Sequence, residues 1–223
     1  MMKKICLFIA LLLLASTQAV AKNISYNVFL IPSGEVDQTV KTISQQLKGE
    51  QLHSLYSQHY LPHITLYLTE YPKDNLAAIK SKVAQLASQL KPFDITLGSI
   101  KQTKGNWLML NVKNNQPLQH LADLVTVELA PLRATDPKLP SWVLDYPEKL
   151  ASFKRYGSPN VFTNFDPHIT LLPRSDAESL NRFMQKYGNQ FKPVTVQVKG
   201  IGIAETNANG QAKHELAEYF FAK

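Results

Sequence analysis

The chain has 223 residues, 44% hydrophobic and 18% charged, and its 24 Lys and Arg against 17 Asp and Glu give a formal charge of +7. That balance excludes a disordered or fibrous chain. The basic residues are scattered, which favours small anionic ligands such as phosphates over a broad nucleic-acid footprint.

The N-terminus opens with the short basic stretch Met1-Met2-Lys3-Lys4 and the apolar run Ile5 to Ala15, and reaches a small-x-small site at Ala19-Val20-Ala21. This pattern predicts a secretory signal over residues 1–21. The run is shorter than the roughly 20 apolar residues of a membrane span. Cys6 lies too early in it for a lipoprotein site. Cleavage would leave Lys22–Lys223, 202 residues with a charge of +5 and no cysteine. Thiol nucleophiles, disulfides and Cys-ligated metals are then excluded. The expectation is a periplasmic or secreted monomer with no lasting membrane association, formed by one domain over residues 22–223.

Asn23–Pro32 reads as a strand ended by proline, and Val36–Lys48 as a helix with Val36, Val40, Ile43 and Leu47 on one face. His63–Leu68 reads as a strand and Asp74–Leu90 as an amphipathic helix with Leu76, Ile79, Val83, Leu86 and Leu90 on one stripe. Phe93–Gln102 and Trp107–Val112 are strands joined at Lys104-Gly105-Asn106. Leu118–Leu132 is a further helix. Residues 133–165 hold Pro137, Pro140, Pro147 and Pro159 and read as an irregular insertion. His168–Leu172 is a strand, Asp176–Gln190 a helix, and Val194–Glu205 and His214–Ala222 are strands linked through Asn207-Ala208-Asn209-Gly210.

The unit strand, helix, two hairpin strands occurs twice. It predicts an α+β fold of two lobes related by a pseudo-twofold. Each lobe would be an antiparallel-rich sheet with helices on its outer face and a cleft between the lobes.

The first strand of each unit opens identically, with Pro-His-Ile-Thr-Leu at 62–66 and again at 167–171. Side chains alternate along a strand, so His63 and Thr65 share one face and Ile64 and Leu66 the other. The same holds for His168 and Thr170 against Ile169 and Leu171. A pseudo-twofold would bring two imidazoles and two hydroxyls into one cleft. In-line cleavage of a phosphodiester needs a base on the entering oxygen and an acid on the leaving oxygen, on opposite sides of phosphorus. Histidine serves either role near neutral pH, and threonine hydroxyls can donate to the non-bridging oxygens.

These paired His-x-Thr motifs on a duplicated α+β lobe resemble the 2H phosphoesterase superfamily, which includes the bacterial 2′-5′ RNA ligase-like proteins and cyclic phosphodiesterases. The resemblance implies that His63 and His168 are general base and acid and that Thr65 and Thr170 bind phosphate. It implies hydrolysis of 2′,3′-cyclic phosphates or other 2′-linked phosphodiesters of nucleotides or RNA ends, with no cofactor and no metal. The export signal departs from the mostly intracellular relatives and turns the expectation from RNA repair to hydrolysis of extracytoplasmic nucleotides or RNA fragments. An exported nucleotide- or RNA-binding module without catalysis is the alternative on the same fold.

Continued alternation would place Tyr67 on the face of His63 and Thr65, and Arg174 on that of His168 and Thr170, as further substrate contacts. Lys154-Arg155-Tyr156-Gly157 combines cations, an aromatic ring and a glycine able to clamp a nucleotide. His59 and His63 have the spacing of a helical metal pair, but Pro62 between them argues against a helix there.

Overall fold

The protein is described by a computed structural model over residues 23–31 and 33–222. The expected signal at 1–21 and the proline expected to end the first strand lie outside the described residues.

The first half contains β1 (Asn23–Leu30), α1 (Gly34–Gly49), β2 (Ile64–Pro72), α2 (Leu76–Gln89), β3 (Phe93–Gln102) and β4 (Leu108–Lys113). The second half contains α3 (Gln116–Leu129), α4 (Pro147–Tyr156), β5 (His168–Leu172), α5 (Ala177–Tyr187), β6 (Val194–Val198), β7 (Gly200–Glu205) and β8 (Ala217–Phe220).

The helices form where sequence periodicity and end chemistry agree. In α1 the buried residues include Val36, Val40, Ile43 and Leu47, with Glu35 and Asp37 in the first turn and Lys48 in the last, as the helix dipole favours. The Asn115 side chain caps α3 by accepting from the Leu118 amide at 3.0 Å, and Asp176 caps α5 by accepting from the amides of Glu178 and Ser179. Each cap contributes about 1 kcal/mol.

The strands form two antiparallel four-stranded sheets, ordered β2-β1-β7-β8 and β5-β4-β3-β6. Each motif strand is an edge strand, and the two orders correspond under a pseudo-twofold. One continuous core draws on both sheets and on α1, α2, α3 and α5. This is the α+β, two-lobed architecture anticipated above. Helix α3 packs on β2, and α2 on β7 and β8.

Two expectations need correction. Val194–Glu205 is not one strand. Val194–Val198 pairs with β3, whereas Gly200–Glu205 pairs with β1 and β8, so the chain crosses from one sheet to the other at Lys199. Burial changes accordingly: β6 alternates, while β7 is buried from Gly200 through Ala204 because both of its faces are covered. The lobes are therefore not the two halves of the chain. Hairpin β3-β4 joins the sheet of β5, and hairpin β7-β8 joins the sheet of β2.

The insertion at 133–165 is also more regular than expected. It contains α4, which begins at Pro147, a first-turn position where the missing N–H costs nothing. Gly157 ends α4 at φ 70°, and a Cβ there would meet Thr69 Oγ1 at 2.6 Å and Arg133 Cδ at 2.9 Å. That backbone region and that space both call for glycine.

Candidate active site

The motif strands carry the same irregularity. Thr65 pairs with Phe29 and Tyr67 with Val28, which leaves Leu66 as an extra residue. Thr170 pairs with Met109 and Leu172 with Leu108, which leaves Leu171 extra in the same way. Each is a β-bulge directly after the threonine, and a bulge re-aims the side chains that follow it. Before the bulge, Thr65 shares a face with Phe29, and Asn27 lies two residues along β1 on that same face. Beyond it, Tyr67, Thr69 and Tyr71 turn into the core.

Tyr67 is therefore not on the histidine face. It is 1% exposed, and its hydroxyl donates to the Tyr156 carbonyl. Burial pushes its pKa up, which keeps the phenol protonated. Arg174 follows the second bulge and lies past the end of β5, exposed. Alternation cannot carry it to the face of His168, because the extra residue Leu171 interrupts the count.

The two histidines are held alike. His63 Nδ1 lies 2.9 Å from the Leu61 carbonyl oxygen, and His168 Nδ1 lies 2.7 Å from that of Asp166. A carbonyl only accepts, so Nδ1 carries the proton in each ring. The neutral imidazoles then present an unprotonated Nε2, the atom able to take a proton.

Both pKa values are below the ordinary 6.5. For His63 the main cause is burial, opposed by the Leu61 carbonyl and assisted by the charge of His168, so the two rings lie within electrostatic reach of each other. For His168 burial again leads. The Asp166 carbonyl and carboxylate raise it, and Lys149 and Lys101 lower it.

The surroundings differ between the lobes. His63 is 6% exposed, with the Phe29 ring centroid 5.8 Å from its own. Phe29 forms a small apolar cluster with Ala204, Ala212 and Leu61. Thr65 Oγ1 accepts from Asn27 Nδ2 at 2.9 Å. His168 is half-buried and stands among Asp166, Lys149 and Lys101. Lys149 donates to Asn160 Oδ1 and lies 5.8 Å from the centre of the exposed Trp142 ring. Across the molecule, Lys213 covers the Tyr60 ring at 4.9 Å.

The trio Lys154, Arg155 and Tyr156 forms the last turn of α4 rather than an open loop. The Tyr156 ring packs on Phe162 at 4.7 Å and under the Arg155 guanidinium at 5.2 Å, and its carbonyl holds Tyr67 behind the sheet. The insertion charge that reaches His168 is Lys149, in the first turn of the same helix. Sequence reasoning missed Lys149, Lys101 and Asn27. Asn27 left one signal, an amide in the strand interior directly before the apolar run Val28-Phe29-Leu30. His59 adopts φ 63° at the end of a short turn, so it shares no helical face with His63. Among the described residues no group of three His, Cys, Asp or Glu side chains comes together.

Two antiparallel sheets that each offer a His-x-Thr edge to the other define a paired-histidine α+β class. The sequence profile of the 2′-5′ RNA ligase superfamily matches residues 33–210, which include both pentapeptides. The chain belongs to that superfamily of 2H phosphoesterases. No curated protein matches the chain. Solved structures share its fold at low identity. Escherichia coli LigT complexed with 3′-AMP is 15% identical with a TM-score of 0.57, over 91% of this chain and 100% of that one. TT0787 of Thermus thermophilus is 15% identical with a TM-score of 0.54, over 89% and 98%. LigT complexed with phosphate is 14% identical with a TM-score of 0.54, over 90% and 99%.

Proposed function

We propose that the protein is an exported, metal-independent phosphodiesterase that opens 2′,3′-cyclic phosphates, or related 2′-linked phosphodiesters, of nucleotides or RNA ends. Superfamily membership supports a phosphodiesterase-type activity. The observation that carries the reading further is the paired restraint on the imidazoles: both Nδ1 atoms are tied to a carbonyl two residues upstream, which leaves both Nε2 atoms for proton transfer.

Water attacks phosphorus as His63 Nε2 takes its proton. The bond from phosphorus to one ribose oxygen breaks, and His168 Nε2–H protonates that oxygen. The product is a phosphate monoester beside a free hydroxyl. His63 suits the base because it is buried without a carboxylate and stays neutral. Burial, with Lys149 and Lys101, holds the His168 pKa below the ordinary value, but His168 suits the acid better than His63 because the Asp166 carbonyl and carboxylate support its charged form. Thr65 and Thr170 donate to the non-bridging oxygens, with Lys101 and Lys149 drawing an anion toward His168. Complexes of LigT with phosphate and 3′-AMP make a small nucleotide the fitting substrate here. The signal pattern at residues 1–21 supports a site of action in the periplasm or outside the cell.

The test is hydrolysis of nucleoside 2′,3′-cyclic monophosphates by the mature chain in excess EDTA. Turnover that survives the chelator and vanishes in the His63→Ala, His168→Ala double variant supports the proposal. Turnover abolished by EDTA and restored by a divalent cation would remove the metal-free mechanism. Nucleotide binding without turnover would leave a binding module.

A further inference from the structure

Asn27 stands out in β1 because nothing in the architecture asks for it. Asparagine is a poor strand former, and β1 is the second strand of its sheet, paired on both edges by β2 and β7. Asn27 is 0% exposed. Its Nδ2 donates to Thr65 Oγ1 at 2.9 Å, and its enclosed Oδ1 has no hydrogen-bond partner among the described residues. A buried, half-satisfied amide is costly to retain.

The other lobe supplies a control. Phe29 lies opposite Thr65, and Met109 lies opposite Thr170. Two residues before Phe29 is Asn27, and two before Met109 is Trp107. The pseudo-twofold is therefore broken at the residue that touches the motif threonine.

A hydroxyl has one proton and two acceptor positions. An amide N–H pointed at Thr65 Oγ1 fills one acceptor position and offers nothing to receive the proton. The Thr65 proton is left for whatever lies in the cleft. We propose that Asn27 is a positioning residue that commits the Thr65 hydroxyl to donate to the substrate phosphate, which makes the two threonines unequal. The inference rests on the phosphate-binding role given to Thr65 above.

A double-mutant cycle tests it. Asn27→Leu, close in shape to asparagine, should lower kcat roughly 10-fold with a smaller change in KM, because a freed hydroxyl no longer favours the transition-state donor geometry. Thr65→Val should lower kcat at least as much, and adding Asn27→Leu to it should cost nothing further. If the two losses multiply in folded variants, Asn27 does not act through Thr65. If Asn27→Leu is fully active while Thr65→Val is impaired, this inference fails and the proposed function stands. If Thr65→Val itself is fully active, the phosphate role of Thr65 fails first.

Asn27→Asp adds a readout that a purely structural role would not move. A carboxylate there would take the Thr65 proton, so the rate at neutral pH should fall. As the pH drops and the carboxyl protonates, it becomes a donor again and the rate relative to wild type should recover. An amide seated the other way would already hold the Thr65 proton, and the ratio of variant to wild type would then be flat with pH. A flat ratio overturns the proposal.

Discussion

Replacing Gly202 by alanine probes how firmly the His63 side of the cleft is built. Gly202 on β7 lies opposite Phe29 on β1. A Cβ added there would stand 2.4 Å from Phe29 Cζ, 2.6 Å from Cε2 and 3.1 Å from Cε1. Carbon contacts are favourable at roughly 3.5–4.0 Å, so the ring must shift by about 1 Å. It is 1% exposed and packs against Ala204, Ala212 and Leu61, whose backbones are tied by strand pairing or by the Leu61 N–H to Ala212 carbonyl bond. The direction that yields is toward His63, whose ring centroid is 5.8 Å away. Overpacking of this kind costs about 1–3 kcal/mol, which lowers Tm by roughly 2–12 °C for a chain of this size. A shift passed on to the imidazole by about 1 Å would cost on the order of 10² in turnover. Denaturant unfolding and hydrolysis of a cyclic nucleotide measure the two effects separately. Phe29→Leu in the Gly202→Ala background should restore most of the lost stability by removing the ring atoms the new methyl meets. A Gly202→Ala protein within about 0.5 kcal/mol of wild type and fully active would refute the reasoning.

Other expectations follow from the site. His63→Ala and His168→Ala should each lower turnover on the order of 10²–10⁴, and the double variant should lose less than the product of the two, since one proton in and one proton out form a unit. Because both imidazoles lie below 6.5, the bell in kcat/KM should be centred on the acid side of neutrality, and a bell centred well above pH 7 would contradict the environments described. The same shifts bear on stability. The unfolded chain takes up these protons first as pH falls, so the histidine contribution is fully present above about 6.5 and declines below it. Urea titrations at stepped pH should show that decline, and His63→Gln should flatten it. Tyr67→Phe should cost about 0.5–1.5 kcal/mol in unfolding free energy and leave kcat unchanged, because its ring lies behind the sheet.

Much of the fold was legible because most of it is written in short-range period. The stripe Ile79, Val83, Leu86 marks α2 in any setting, and His63 and Thr65 must share a face as long as the strand runs regularly. What stayed hidden depends on distant partners. Strand alternation is the same whichever sheet a strand joins, so the crossing at Lys199 left no local mark beyond the unbroken burial of β7. The bulges left only an adjacent buried pair, Leu66-Tyr67 and Leu171-Leu172, and without them the parity count passed Tyr67 to the wrong face. Four prolines concealed α4, although Pro147 sits where a helix accepts one. Lys101 and Lys149 reach His168 only through tertiary packing.

The crossing at Lys199 also joins strands far apart in the sequence. Tyr26 of β1 pairs with Glu205 of β7, so β1 waits for a strand synthesised much later. Until residues 200–205 emerge, the inner edge of β1 is an open ladder, the kind of edge on which nascent chains stick to one another. Completion of this sheet is therefore expected to be slow, because its contacts span most of the sequence. A chain stopped at Lys199 keeps both His-x-Thr pentapeptides yet holds His63 on a two-stranded remnant, and limited proteolysis should cut β1 and β2 there while the strands around His168 resist.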